Sequence, residues 1–399
     1  MSRIDELIQE LCPDGVERKA LGQVGKFTRG IGLQKSDLRD EGIPAVHYGQ
    51  IHTFYGVWAT ETMSFTDKET AKKLRHARPG DLLIATTSED DDAVAKATAW
   101  VGDTDVVVGG DAYIYRHELE PKYAAYFFQS TLFQDQKRRF ISGTKVRRIS
   151  GASLEKIRIP APPLEVQCEI VRVLDTFTDL EAELETELEA RRAQYDFYFR
   201  RLLSFAPGEA EELTLADIGR VAMCKRVFKN ETSDSGEVPF FKIGTFGGSP
   251  DAYISRELFD SYRERFSFPK RGDVLISAAG TIGRTVVYDG DLAYFQDSNI
   301  VWLDHDESIV SNAYLKHWYR AVDWATDGGT IKRLYNANLL RAKIMVPPRS
   351  EQDRIVAMLD KFDALVNDVS IGLPAELAAR RKQYEYYRDR LLTFKELVA

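Results

Sequence analysis

The chain has 399 residues and a formal net charge of −8. Its length, with a hydrophobic content of 44%, is enough for two or three domains with cores of their own. No apolar run reaches about eighteen residues and the first residues lack an apolar leader, so neither a membrane span nor a signal peptide is predicted. Three isolated cysteines predict no disulfide framework and favour a reducing cytoplasm. The acidic balance argues against a surface that is basic overall, but not against local basic patches.

The first predicted elements are short strands mixed with short helices. Segments 81–87 (DLLIATT) and 105–116 (DVVVGGDAYIYR) are rich in β-branched residues and bounded by Gly or Asp. A long helix is predicted next, from Val166 to Phe205, between a Pro-rich start and the pair Pro207 and Gly208. Its apolar stripe has helical spacing and consists of Ile170, Leu174, Phe177, Leu180, Leu184, Leu188, Tyr195, Tyr198, Leu202 and Phe205. At 1.5 Å per residue it would be about 60 Å long and would need a partner helix.

The second half repeats this order. Segments 273–280 (DVLISAAG) and 284–290 (RTVVYDG) are predicted strands, and a second helical region is predicted from Glu351 to Phe394. Gly372 and Pro374 interrupt it, and Pro374 suits the first turn of a fresh helix.

The repeat is explicit in the residues themselves. Segment 190–205 (ARRAQYDFYFRRLLSF) matches segment 379–394 (ARRKQYEYYRDRLLTF) at ten of sixteen positions. Gln167 and Gln352 lie 185 positions apart, whereas Tyr195 and Tyr384 lie 189 apart, so the second copy carries four extra residues around 370–377. Upstream the match is weaker, which gives each copy a variable first part. We expect the two helical regions to pack antiparallel about a pseudo-twofold axis, with the globular parts at opposite ends of a rod.

This pattern resembles the DNA-specificity subunit of type I restriction–modification systems, over essentially the whole chain. The resemblance rests on segments 162–175 (PPLEVQCEIVRVLD) and 347–360 (PPRSEQDRIVAMLD), on the two matching helices, and on the strands PGDLLIA and RGDVLIS. It implies an α+β fold: two tandem mixed α/β target recognition domains separated by two long helices that pack as an antiparallel coiled coil. The implied bounds are a first recognition domain at 1–160, a central spacer helix at 161–206, a second recognition domain at 207–347 and a C-terminal helical region at 348–399.

The resemblance also implies a function and a set of partners. Each domain would read one half of a bipartite, asymmetric site in double-stranded DNA. Two methyltransferase subunits would then methylate adenine N6, and translocase–nuclease subunits would cut DNA in the full complex. The chain itself would be non-catalytic, without cofactor or metal. A coiled-coil scaffold that joins two protein-binding domains and never touches DNA is the alternative from another class.

Motifs for chemistry are missing from the sequence. There is no phosphate loop ending in Gly-Lys-Ser/Thr, the APP and VPP segments lack the flanking residues of an adenine-methyltransferase motif, and six histidines show no metal spacing. The acidic run 89–92 (EDDD) is interpreted as a solvated loop in preference to a divalent-ion site, with hydrogen bonding to cytosine N4 as a third possibility. Because the second copy has AGTIGRT near this place, the two domains are not expected to read the same bases.

Candidate DNA contacts fall into two groups. The stretch from Lys137 to Arg148 has six cations and no acid, and its counterpart 328–334 keeps the Gly-Thr and basic character, so DNA contact is favoured over a plain loop. Its candidates are Thr144, Lys145, Arg147, Arg148, Thr330, Lys332 and Arg333. For a second group a plain loop or strand is an equally good interpretation: Arg29, Lys35, His47, Tyr48, Gln50, Thr87, Ser88, Lys242, Thr245, Thr281 and Arg284. On the helices, Arg191, Arg192, Arg380, Arg381 and the nearby tyrosines fit either partner docking or helix packing.

Overall fold

A computed structural model describes residues 3–326, 332–368 and 370–397. The chain divides into two compact units, one formed by Met1–Glu185 with Glu376–Ala399, the other by Thr186–Ala375. Each unit therefore combines one variable part with segments of both helical regions. Within the described ranges, no helix has the length and apolar character needed to cross a membrane.

The first unit is built around two small sheets. A four-stranded sheet has the order β5-β3-β10-β6 and a five-stranded sheet the order β2-β11-β7-β9-β4, with two-stranded pairs β1-β13 and β8-β12 beside them. The strands are β1 (Arg18–Ala20), β2 (Gly25–Arg29), β3 (Ile43–Val46), β4 (Trp58–Ala59), β5 (Ser64–Thr66), β6 (Arg75–Ala77), β7 (Leu82–Ala85), β8 (Thr87–Ser88), β9 (Ala97–Trp100), β10 (Val106–Val108), β11 (Ala112–His117), β12 (Arg147–Arg148) and β13 (Arg158–Pro160). The helices are α1 (Arg3–Leu11), α2 (Leu21–Val24), α3 (Tyr48–Thr53), α4 (Lys68–Ala71), α5 (Pro121–Gln129), α6 (Thr131–Arg138) and α7 (Gly151–Leu154).

The second unit has a related but smaller strand set. One sheet has the order β15-β21-β18-β19, another β17-β16-β20, and β14 pairs with β22. The strands are β14 (Glu211–Thr214), β15 (Gly219–Ala222), β16 (Val238–Phe241), β17 (Tyr253–Ile254), β18 (Val274–Ser277), β19 (Thr285–Val287), β20 (Tyr294–Phe295), β21 (Ile300–His305) and β22 (Lys343–Val346). In chain order the helices are α8 (Leu164–Leu202), which starts in the first unit, α9 (Leu215–Ile218), α10 (Arg256–Arg265), α11 (Asn312–Ala321), α12 (Asn336–Leu340), α13 (Arg349–Asn367) and α14 (Leu373–Leu391), which ends in the first unit.

The helical regions follow their sequence signals closely. α8 is one unbroken helix of 39 residues that begins directly after the prolines at 160–163. The second region is divided into α13 and α14, as Gly372 and Pro374 predict, and Pro374 lies in the first turn of α14. The mixed α/β fold with long paired helices is thus confirmed.

Helix packing in the two units repeats the same aromatic contact. In the first unit Phe177 of α8 stacks on Tyr387 of α14, with ring centroids 5.4 Å apart. In the second unit Phe362 of α13 stacks on Tyr198 of α8 at 5.6 Å. Phe177 corresponds to Phe362 in the repeat, and Tyr198 corresponds to Tyr387, so the same contact occurs in both units. In the first unit Arg381 also bonds Glu181 and Glu185. Residues later in α8 therefore contact residues earlier in α14, which makes this helix pair antiparallel.

A buried glutamine joins each variable part to its helix. Gln167 on α8 is 4% exposed; its Oε1 accepts from the Glu120 backbone N–H at 2.9 Å and its Nε2 donates to the Pro162 carbonyl at 2.8 Å. Gln352 on α13 is 1% exposed; its Oε1 accepts from the Ser311 N–H at 2.9 Å. Its Nε2 donates to the carbonyls of Ile309 at 2.9 Å and Pro347 at 3.0 Å. We call these two residues the joint glutamines.

A buried tyrosine beside each joint glutamine adds a second bond. Tyr123 of α5 donates to the Pro160 carbonyl at 3.0 Å, and Tyr314 of α11 donates to the Met345 carbonyl at 2.9 Å. Both acceptors lie on the strand that leads into the helical region, β13 or β22. The start of each long helix is therefore fixed to the sheet and to the neighbouring helix at once.

Candidate nucleic-acid interface

The basic loop of the first unit is a tight hairpin at the end of a buried strand. Ser142 and Arg148 exchange backbone hydrogen bonds at 2.8 and 2.9 Å, and β12 pairs with β8 so that Arg147 faces Ser88 and Arg148 faces Thr87. Gly143 has φ +92°, and a Cβ there would lie 2.1 Å from the Val146 carbonyl oxygen, so the turn requires glycine. The structure thus brings two separate groups of candidates together. Thr144 and Lys145 are exposed at the tip.

In the second unit, Leu334 at the end of the counterpart makes the equivalent backbone bond. The Leu334 N–H donates to the Ala278 carbonyl at 2.9 Å, as the Ile149 N–H donates to Thr86 at 3.3 Å in the first unit. Arg333 bridges Ala279 and donates through Nη2 to Asn299 Oδ1 at 2.7 Å. Lys332 is exposed, whereas Thr330 lies outside the described residues.

Two basic side chains bind the acidic loop 89–92 of the first unit. Arg147 Nε lies 2.8 Å from Asp91 Oδ1. Lys137, which the sequence groups with the surface cations, is instead buried and donates from Nζ to the carbonyls of Asp92 at 2.7 Å and Val94 at 2.8 Å. Burial lowers the pKa of Lys137 to about 8. Among the residues that the structure describes, no group of three or more His, Cys, Asp or Glu is placed to hold a metal ion.

Arg29, His47 and Tyr48 line a cavity of about 440 Å³ in the first unit, which also includes Asp111. Arg29 Nε donates to the Gly110 carbonyl at 2.9 Å, and its Nη2 lies 3.5 Å from Asp111 Oδ1. The Gly49 N–H donates to His47 Nδ1 at 3.2 Å, which leaves Nε2 as the protonated nitrogen of the neutral ring. Burial lowers the pKa of His47, so the neutral ring dominates at pH 7 and Nε2–H is a donor.

The remaining candidates differ in whether their polar groups already have partners within the protein. Gln50 caps α3, accepting from the His47 N–H at 2.9 Å and donating to Ser64 Oγ at 2.9 Å, so its amide is already bonded. Lys35 is exposed in a 3₁₀ turn. In the second unit Lys242 pairs with Asp251 at 2.8 Å. Thr245 accepts from the Lys242 N–H at 3.1 Å.

Thr281 and Arg284 lie in the loop between β18 and β19. The Thr281 carbonyl accepts from Ser277 Oγ at 2.5 Å, which fixes its backbone while its side chain stays at the surface. Arg284 donates through Nη1 to the Phe246 carbonyl at 3.0 Å. Arg284 thus supports the fold of this loop, whereas Thr281 is free to contact a ligand.

The structure shows a second basic loop that the sequence patterns above do not predict. Lys229–Glu231 forms a 3₁₀ turn equivalent to Lys35–Asp37, 194 positions earlier. The loop leading to it has Lys225 4.9 Å from the ring centroid of Phe266, Arg226 paired with Asp297 at 2.9 Å, and Phe228 56% exposed. The same separation of 194 relates Leu21 to Leu215, so extending that match by ten residues finds this loop.

The helix surface separates packing residues from exposed ones. Tyr195 and Tyr384 are buried, and Tyr198 and Tyr387 stack within their units, so packing explains these four tyrosines. Arg191 pairs with Glu187 at 3.3 Å and Arg380 with Glu376 at 3.5 Å, at matching positions. Phe197 and Tyr386, which also match, are 58% and 60% exposed. These two aromatic side chains, at one position of the repeated helix, face solvent.

Comparison with known proteins gives consistent matches. A family model described as the type I restriction modification DNA specificity domain matches residues 13–190 and 207–379. A putative type I restriction enzyme specificity subunit from Haemophilus influenzae is 51% identical over 264 residues, covering 64% of this chain and 68% of the relative. The EcoR124I/EcoR124II specificity subunit from Escherichia coli is 34% identical over 288 residues, covering 67% and 70%.

Two solved structures share the fold. The S subunit of a type I restriction-modification system from M. genitalium aligns with a TM-score of 0.53 and 14% identity over 94% of this chain and 96% of that one. A chain from a structure that addresses complex assembly and conformational transition of the type I R-M system aligns with a TM-score of 0.64 and 18% identity, over 96% and 98%. At these identities the likeness concerns the fold alone.

Proposed function

Because this chain belongs to the family of type I restriction–modification DNA specificity domains, we propose that its recognition domains, at 1–160 and 207–347, each read one half of a bipartite, asymmetric site in double-stranded DNA. The chain is the sequence-specificity subunit of such a system and is non-catalytic. Methylation of adenine N6 and restriction are then reactions of partner subunits that this chain directs.

The observation that carries the proposal is the duplicated basic segment. In each unit the end of this segment is bonded next to a buried strand, through the Ile149–Thr86 bond in the first unit and the Leu334–Ala278 bond in the second. A rigid base with exposed cations suits phosphate contact, which fixes register, while neighbouring loops carry the donors and acceptors that read base edges. In the first unit Arg29, His47 and Tyr48 provide such groups around one cavity.

Replacing Lys145 and Arg148 with Ala is expected to weaken DNA binding and flatten its salt dependence. Both side chains are exposed, and neither forms an ion pair among the described residues. If each contacts one phosphate, the slope of log K against log salt falls by about 1.8, at about 0.9 per contact. Fluorescence anisotropy with a labelled duplex, on the full chain with its methyltransferase partner, measures this slope.

The matched control replaces Lys156 and Lys395, two exposed lysines of the same unit that do not belong to the loop. It should keep the original slope. If the loop variant also keeps it, with circular dichroism unchanged, these two residues do not contact DNA.

Type I specificity subunits work together with the other subunits of their systems. For this chain we propose two methyltransferase subunits, with translocase–nuclease subunits joining in the full complex. The proposal is supported by the exposed pair Phe197 and Tyr386, which occupy one position of the repeated helix. Exposed aromatics at matching positions suit two equivalent contacts, because aromatic anchors carry much of the energy of an interface.

Phe197→Ala and Tyr386→Ala are each expected to remove one of the two partners. Native mass spectrometry of the co-expressed complex should show two methyltransferase subunits for the unaltered chain and mainly one for each variant. The side chains are mostly exposed, so unfolding midpoints should stay close to the original. Tyr386→Phe, which keeps the ring, is the control and should retain both partners. Two partners on both alanine variants would contradict this docking site.

A further inference from the structure

A second group of cations lies in the first unit, apart from the loops described above. Lys26 of β2, Arg116 of β11, and Arg75 and His76 of β6 line a cavity of about 410 Å³ together with Thr28, Leu74 and Ile114. The cavity lies where edge strand β2 of the five-stranded sheet approaches edge strand β6 of the four-stranded sheet. We call it the β2–β6 cavity.

The charges around the β2–β6 cavity do not balance. Lys26 faces Arg116 directly in the antiparallel register of β2 and β11, and like charges directly opposite destabilise a sheet. Buried Asp81 holds Arg116 through two bonds, at 2.9 and 2.6 Å. Over the described part of the chain, Lys26 and Arg75 have no ion-pair partner and no carboxylate lines the cavity. Two positive charges therefore remain without a counter-charge.

The second unit resolves the same position differently. Gly25 pairs with His117, and Gly219 pairs with His305. The next residues along these strands are Lys26 opposite Arg116 in one unit and Arg220 opposite Asp304 in the other. Arg220 and Asp304 form an ion pair at 2.8 Å. An internal carboxylate thus neutralises the second unit where the first has a second cation.

We propose that the β2–β6 cavity binds a phosphate group of the DNA backbone, outside the loops that read bases; this rests on the proposed function. A backbone phosphate supplies the missing negative charge without regard to sequence. Lys26 and Thr28 of β2 line the cavity together with Ile114 and Arg116 of β11, because residues two apart on a strand share one face of the sheet. The first unit then holds DNA more tightly than its base contacts alone provide.

The test replaces Lys26 and Arg75 with Gln in the full chain, bound to its methyltransferase partner. Gln keeps most of the aliphatic length, and removing one of two facing like charges should not lower stability. We expect the salt slope for a random duplex to fall by about 0.9, from the one phosphate contact that the two cations share. Affinity for the specific site should fall by the same factor as affinity for the random duplex, so the ratio between them is kept. Arg220→Gln, at the matching neutralised position, should leave the slope unchanged.

The outcomes separate this inference from the proposed function. If the unaltered complex does not bind duplex DNA, the proposed function fails and this inference fails with it. If the unaltered complex binds and the Lys26/Arg75 variant keeps its slope, only the inference is overturned. Calorimetry with inorganic pyrophosphate tests whether the cavity binds a small anion instead. If pyrophosphate binds only when Lys26 is present and the duplex slope of the variant is unchanged, the ligand is a small anion and the DNA assignment is overturned. Should the double variant fail to fold, the Lys26→Gln single variant should also lower the slope, and an unchanged slope overturns the inference.

Discussion

Gln352→Met is expected to lower the free energy of unfolding by roughly 3 kcal/mol, because three buried main-chain groups lose their hydrogen-bond partner. Met has a similar length and fills a similar volume, so packing is largely kept. The Ser311 N–H and the carbonyls of Ile309 and Pro347 would lose their partner. Each buried polar group left without a hydrogen bond costs about 1–3 kcal/mol. Urea denaturation followed by circular dichroism and by tryptophan fluorescence measures the change.

The repeat offers graded comparisons for this variant. Gln167→Met removes two bonds rather than three and should cost roughly 2 kcal/mol by the same reasoning. Gln383 is exposed and accepts from Arg380 at 3.2 Å, so Gln383→Met should change stability by about 0.5 kcal/mol or less. Equal effects at Gln352 and Gln383 would show that the buried amide does not stabilise the joint.

Repeating residues 181–184 (EAEL) once after Leu184 is expected to change the DNA site without changing the half-sites. The insertion adds about one helical turn and about 6 Å to α8, because a turn takes 3.6 residues and each rises 1.5 Å. B-DNA rises about 3.4 Å per base pair on each strand. The gap between half-sites should therefore grow by one or two base pairs, which methylome sequencing of cells that carry the variant would detect.

The chain already contains a difference of this size. Up to Asn367 the second copy matches residues of α8 that lie 185 positions earlier, and from Leu373 it matches residues 189 positions earlier. The five residues 368–372 therefore stand where α8 has the single residue 183. A two-residue insertion at Leu184 is the control, because it rotates the apolar stripe by about 200° and should destabilise the protein. Methylation at the original spacing by a folded four-residue variant would refute the idea, as would altered half-site bases at an unchanged spacing.

Sequence periodicity was sufficient for the helices and insufficient for the site. The stripe of α8, the prolines before it and the break at Gly372 are local signals, and the structure reproduces each of them. Lys137 belongs to a local run of cations, yet its partners are carbonyls more than forty positions earlier. The chain segment around it gives no sign of them.

The same limit applies to single charged residues on strands. Lys26 and Arg75 are about fifty positions apart and neither belongs to a basic motif, so only the sheet arrangement brings them to one cavity. Gln50 shows the converse, since a polar residue in a promising loop turns out to cap its own helix. A site residue is predictable where its neighbours in sequence are also its neighbours in space.

The bonds of the joint glutamines have a consequence for how such proteins diversify. Within the part of the chain that the structure describes, the two amides bond only to main-chain atoms, and the neighbouring tyrosines donate to main-chain carbonyls. Main-chain groups persist through almost any substitution of the side chains around them. The variable part can therefore accumulate mutations over its reading surface while its attachment to the helix survives intact. We therefore expect substitutions on the surface of the variable part to leave its attachment to the helix folded.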